Sequence, residues 1–113
     1  NAIETNNIEK MNKLISSNDF KSKDNTLQSL FYNILGNYYT SNLNVEQAIN
    51  YYKKAINISV VDDHLYQFKL NLLHLYYNND KYSDYTSLLG DVDIDKIKSF
   101  QLKAKYEQLP TVN

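Results

Sequence analysis

Apolar residues recur at steps of three and four through most of the chain, Gly occurs only at positions 36 and 90, and the single Pro is Pro110. That spacing predicts helices separated by short polar breaks, with no strand-like alternation. The first helix is expected over residues 2 to 17, with Ile8, Met11, Leu14 and Ile15 on one stripe. A second is expected from Asn25, capped by that residue with Gln28 three positions on, through Leu27, Leu30, Phe31, Ile34, Leu35 and Tyr38 to about Ser41. Asn42, Leu43 and Asn44 form the next turn. Asn44 and Gln47 repeat the capping spacing, and Val45, Ala48, Ile49, Tyr52, Ala55 and Ile56 form the inward stripe of the helix that follows. Asp62 and Asp63 supply caps and favourable charge to a helix through Leu65, Phe68, Leu72, Leu73 and Tyr76, which ends at a break over Asn78 to Asp80. A shorter helix runs from Tyr82 to Leu89 and stops at Gly90. The last is expected from Asp93 to about Leu109, with Ile94, Ile97, Phe100 and Leu102 as its apolar set. The sum is one all-α domain of six helices.

From Tyr32 to Ala55, large and small side chains alternate at fixed helical spacings: Tyr32, Leu35, Gly36, Tyr39, Ala48, Tyr52, Ala55. Gly36 and Ala48 leave room for two antiparallel backbones to approach, and the Tyr and Leu side chains fill the space around them. This stretch resembles one tetratricopeptide (TPR) repeat, matched best over residues 29 to 60. A degenerate copy fits residues 64 to 90, where Leu72, Leu73 and Tyr76 stand in the places of Leu35, Gly36 and Tyr39, and Tyr85 and Leu89 in those of Ala48 and Tyr52. Three extra residues separate the units. Leu43 replaces the usual Gly between helices and Val60 the usual closing Pro. The resemblance implies stacked hairpins in a short right-handed superhelix. Its divisions are a leading helix over 1–20, the clear repeat over 25–60, the degenerate repeat over 62–90 and a capping helix over 93–109.

The resemblance also implies a concave groove for an extended or helical peptide. The first pair would present Leu30, Asn33, Ile34, Asn37 and Ser41 to it, and the second Gln67, Leu70, Asn71, His74 and Asn78. Asn33, Asn37, Gln67, Asn71 and His74 are the candidate peptide-binding residues. A carboxamide donates to a peptide carbonyl and accepts from a peptide N–H, so Asn37 and Asn71 could clamp a backbone with little regard for its side chains. The competing roles are solvated groove residues or interhelical hydrogen bonds. TPR domains that bind a terminal carboxylate carry a Lys one turn before the Asn; that place is held by Asn33, which disfavours such a ligand.

Composition narrows the function classes. The net charge of −1 comes from 12 basic and 13 acidic residues, and every basic residue is Lys, dispersed among carboxylates. Phosphate binding needs concentrated basic charge, and bidentate guanine readout needs Arg, so a nucleic-acid partner is disfavoured. Cysteine is absent, which removes disulfides, thiolate metal sites and Cys nucleophiles. No run approaches the roughly 18 apolar residues of a spanning helix, and no basic-then-apolar leader is visible, so membrane insertion is not expected and a cytoplasmic location is favoured. The chain opens on Asn1, as a processed product or a piece of a longer protein would.

Specific chemistry finds little support. His64 and His74 lie ten residues apart on one helix and point in different directions, which rules out a two-histidine metal pair. Asp91, Asp93 and Asp95 begin like a calcium loop, but the required Gly falls on Lys96 and the bidentate Glu on Leu102. A capped helix start explains these carboxylates without an ion. Asn57-Ile58-Ser59 is a glycosylation acceptor sequence that matters only in a secreted protein. No phosphate loop and no Ser-His-acid arrangement is present, so no enzyme activity and no cofactor are expected. Among the eleven Tyr residues, Tyr38, Tyr51, Tyr66 and Tyr77 are placed near surfaces, suited to contact with another chain, including a second copy of this one. The expected function is a non-catalytic protein-binding or peptide-binding scaffold. The alternative is the ligand-sensing half of a bacterial transcription regulator, since peptide-pheromone sensors resemble TPR arrays joined to a helix-turn-helix domain.

Overall fold

The computed structural model describes Glu9, Lys10, Asn12, Lys13, Ser16, Ser17 and residues 24–112. The expected leading helix lies mostly outside these residues; Glu9, Lys10, Asn12, Lys13 and Ser16 are helical. From residue 24 onward the chain forms five α-helices and one 3-10 turn: α1 Asn25–Ser41, α2 Val45–Ile58, α3 Asp62–Asn78, α4 Tyr82–Gly90, the turn Ile94–Lys96, and α5 Phe100–Glu107. The described residues are all-α.

Three helix starts differ from the sequence expectation, each for a local reason. Asp24, not Asn25, caps α1: its carboxylate accepts from the Leu27 amide at 2.8 Å, and an ionised acceptor is favoured at the positive end of a helix. Asp62 and Asp63 do not cap α3. They occupy its first turn, where their charge opposes the helix dipole, and the cap position is Val61, which makes no side-chain bond. The last helix begins at Phe100 rather than Asp93. Asp93 caps the 3-10 turn through the Asp95 amide at 3.1 Å, the extended Ile97 sinks into the core, and Ser99 restarts the helix by accepting from the Leu102 amide at 3.3 Å.

Helices α1 and α2 form a tight antiparallel hairpin, shown by the opposed sense of the contacts Tyr32–Lys54, Tyr39–Tyr51 and Gly36–Tyr52. The approach is close at Gly36, where a Cβ would stand 2.5 Å from the Tyr52 ring. Tyr52 is 3 % exposed, and its hydroxyl donates to Asn37 Oδ1 at 2.6 Å and lies 3.3 Å from Thr40 Oγ1. Helix α3 packs on α2 and touches α1, while α4 and α5 pack on α3. Its stripe Phe68, Leu72, Leu73, Leu75 and Tyr76 is buried accordingly, each large side chain contributing about 1.5–3 kcal/mol on leaving water. Two phenols tie the carboxyl-terminal part down: Tyr106 donates to the Tyr66 carbonyl, and Tyr85 to the Pro110 carbonyl at 2.6 Å.

The two hairpins share one turn geometry. In the first, the Leu43 amide donates to the Thr40 carbonyl and the Asn44 amide to the Tyr39 carbonyl; in the second, Asp80 and Lys81 donate to Tyr77 and Tyr76. Both are Schellman closures, which place the residue after the cap in the left-handed region. Leu43 and Asp80 both have φ of 60°.

Candidate binding groove

Helix α1 and helix α3 lie side by side on α2, and their facing carboxamides bond to one another. Gln67 Nε2 donates to Asn71 Oδ1 at 2.9 Å, and Asn71 Nδ2 donates to Asn33 Oδ1, also at 2.9 Å. The spacing of four places Gln67 and Asn71 on one face of α3, and the second bond crosses between helices. Asn37 does not pair with Asn71. Its oxygen receives the Tyr52 hydroxyl, so it holds the hairpin's central ring, while its side chain is otherwise exposed. His74 is exposed on α3. Leu70, expected on the groove face, is instead 2 % exposed within the core, as its apolar side chain favours on a helix packed from several sides.

Beside this carboxamide chain opens a cleft of about 410 Å³. Thr40, Leu43 and Val45 of the first turn form one wall; Asn71, His74, Leu75, Asn78 and Asn79 of α3 form the other; Tyr52 lies between them. No Lys, Asp or Glu lines it. Leu43, Val45 and Leu75 are its apolar residues beside the Tyr52 ring, and its hydrogen-bonding groups are amides, two hydroxyls and an imidazole. Burial pushes the Tyr52 phenol above its ordinary pKa, with the Thr40 hydroxyl opposing the shift, so the ring enters this site uncharged.

No protein-family model, curated protein or solved structure matches the chain. What the cleft can bind therefore follows from its own geometry. Asn71 keeps one N–H and one lone pair after its two bonds, and Asn79 keeps its oxygen, its nitrogen being held by the Leu75 carbonyl at 2.8 Å. Asn78 makes no side-chain hydrogen bond to the described residues. Among those residues no three His, Asp or Glu side chains converge as a metal site, and no helix is long and apolar enough to cross a membrane.

The sequence pointed to Asn33, Asn37, Gln67, Asn71 and His74; the structure brings Asn71 and His74 to the cleft and joins Asn33 and Gln67 to Asn71 alongside it. It adds Thr40, Leu43 and Asn79. Leu43 had a visible signal: an apolar residue between two Asn residues, at a turn position that favours Gly or Asn.

Tyr38, Tyr51, Tyr66 and Tyr77 are half-buried and engage other rings of the same chain. Tyr51 stacks on Tyr39 with centroids 5.6 Å apart, Tyr66 meets Tyr106 edge-on, Tyr77 meets Tyr82 and Tyr85, and Tyr38 meets Tyr39.

Proposed function

We propose that this chain is a non-catalytic protein-binding scaffold of the TPR type, which holds a peptide segment in the cleft between the first turn and α3. The observation that carries the reading is that cleft, a space of about 410 Å³ without Lys, Asp or Glu at the junction of two similarly closed hairpins, with amide groups left free along its α3 wall. Hydrogen-bonding capacity that the fold does not consume is capacity for a ligand backbone. The small-residue contact of Gly36 with Tyr52, and the packing of α3 on the preceding hairpin, support the TPR assignment.

The test is selection of peptides from a random display library on the whole chain, followed by calorimetry. His74→Ala with Asn78→Ala removes two exposed α3 groups without touching a side-chain hydrogen bond among the described residues. Affinity should fall roughly tenfold, as expected for about 1.4 kcal/mol of lost hydrogen bonding, with unchanged helicity. Equal affinity in the double variant would place binding elsewhere. Asn37 and Asn71 are poorer probes, because one supports Tyr52 and the other links α1 to α3.

A further inference from the structure

Leu43 is held in an unfavourable state twice over. Its φ of 60° lies in the left-handed region, where a Cβ meets its own carbonyl, and its side chain is 86 % exposed, so no packing offsets that strain. The equivalent turn, 37 positions later, meets the same requirement with Asp80, a residue type that tolerates this conformation and whose carboxylate accepts from the Tyr82 hydroxyl at 2.9 Å. An exposed leucine where the backbone favours Gly, Asn or Asp contributes nothing visible to folding, and local rules broken in this way concentrate at functional sites. Leu43 stands on the wall of the cleft, opposite the free amides of α3.

We propose that Leu43, with Val45 and Leu75, forms a receptor for one uncharged apolar side chain of an extended partner segment, whose backbone is bonded by Asn71, His74 and Asn78. The proposal rests on the groove reading above and specifies the partner's chemistry. Residues 71, 74 and 78 form one stripe on α3, and the seven-residue rise from the first to the last is about 10 Å, close to three residues of extended chain. The volume of about 410 Å³ is at the small end for a ligand cleft, with space for one apolar side chain and the backbone on either side of it. With no Lys, Asp or Glu on either wall, a charged side chain would give up part of its hydration against Leu43 and Val45 and meet no ammonium or carboxylate partner. Binding is therefore selective for a neutral apolar anchor and nearly independent of salt.

The probe is a blocked pentapeptide, acetyl-Ser-Gln-Leu-Gln-Ser-amide, and its versions with Glu, Lys or Gly at the centre, each titrated into the isotopically labelled whole chain and followed by amide resonances. The Leu peptide should shift the amides of Leu43, Val45, Asn71 and Asn78 with a dissociation constant on the order of millimolar, as suits one small anchor. Raising the salt from about 0.05 to 0.5 M should leave this value within about twofold, and the Glu, Lys and Gly versions should bind roughly tenfold more weakly. Leu43→Asn, which suits the turn and keeps the fold, should reduce the Leu peptide to the level of the Gly peptide. Equal binding of the charged peptides at these amides, or undiminished Leu-peptide binding by Leu43→Asn, overturns the apolar receptor and leaves the groove standing. If no peptide of the set, nor any selected from the display library, shifts a cleft amide, both the receptor and the groove reading fail.

Discussion

Replacing Gly36 by Ala tests whether the close approach of α1 to α2 is as rigid as its geometry implies. In an exposed helix interior this substitution stabilises by about 1 kcal/mol, because Gly loses more backbone entropy on folding. Here the new methyl would stand 2.5 Å from two carbons of the Tyr52 ring. Restoring an ordinary carbon contact of about 3.5 Å requires a movement of about 1 Å. Tyr52 has little room for it, being 3 % exposed and held by its hydroxyl bond of 2.6 Å to Asn37, on the helix that carries the methyl. Overpacking of this kind costs about 1–3 kcal/mol, and loosening the phenol adds about 1 kcal/mol. After subtracting the helix gain, the expected net destabilisation is about 1–3 kcal/mol. Urea unfolding followed by helical circular dichroism would show it as a lower midpoint at constant slope. In a Tyr52→Leu background the ring is gone, so Gly36→Ala should become neutral or stabilising, giving a coupling energy above about 1 kcal/mol in the double-mutant cycle. A Gly36→Ala protein as stable as the parent, or additive effects in the cycle, would refute the reasoning.

Other consequences are open to measurement. Leu43→Asn should raise stability by roughly 1 kcal/mol in the same urea assay, since it relieves the left-handed backbone and removes an exposed apolar group; a lower midpoint would mean that Leu43 packs within the fold. Asn71→Ala strands the Asn33 oxygen and the Gln67 amide in half-buried surroundings and should cost about 1 kcal/mol, checked by thermal unfolding. Burial raises the Tyr52, Tyr76, Tyr85 and Tyr106 phenols above the ordinary 10.0, so the folded state keeps protons that the unfolded chain releases. Stability should be level below that pH and fall as pH rises beyond it, with phenolate absorbance appearing alongside loss of helicity. Phenolate absorbance that develops fully while helicity is intact would contradict this. Ser99→Ala should destabilise by about 1 kcal/mol through loss of the α5 cap, measurable as a lower urea midpoint.

The hairpins were legible because their signals are local. Asn44 caps α2 as its spacing with Gln47 suggested, and the offset that aligned Leu72, Leu73 and Tyr76 with the first repeat reappears as the same turn closed at Leu43 and Asp80. The end of the chain was less legible. Ser99 offers a cap, but nothing within Asp93 to Leu109 says that the chain breaks before it, because the break depends on Ile97 reaching a core that α3 and α5 build together. The candidate groove was legible by residue type and not by pairing. The TPR resemblance implied that Asn33, Asn37, Gln67 and Asn71 share one face, yet a carboxamide donates and accepts equally well toward a ligand, a helix or a phenol, and sequence spacing does not choose among them.

What the sequence by itself determined is the helical class, the principal breaks and the tight α1–α2 contact, since periodicity, turn residues and the smallness of Gly36 act over a few neighbours. Tertiary structure alone decided that Asn37 holds Tyr52, that Asn71 bridges to Asn33, and that Leu43 faces a cleft whose other wall is more than 25 residues away in the chain. Those outcomes depend on distances between helices, which the packing of α3 on α2 sets. The Tyr32 to Ala55 pattern specifies the hairpin; the space beside it, where Leu43 stands exposed, exists only once the next helix has docked.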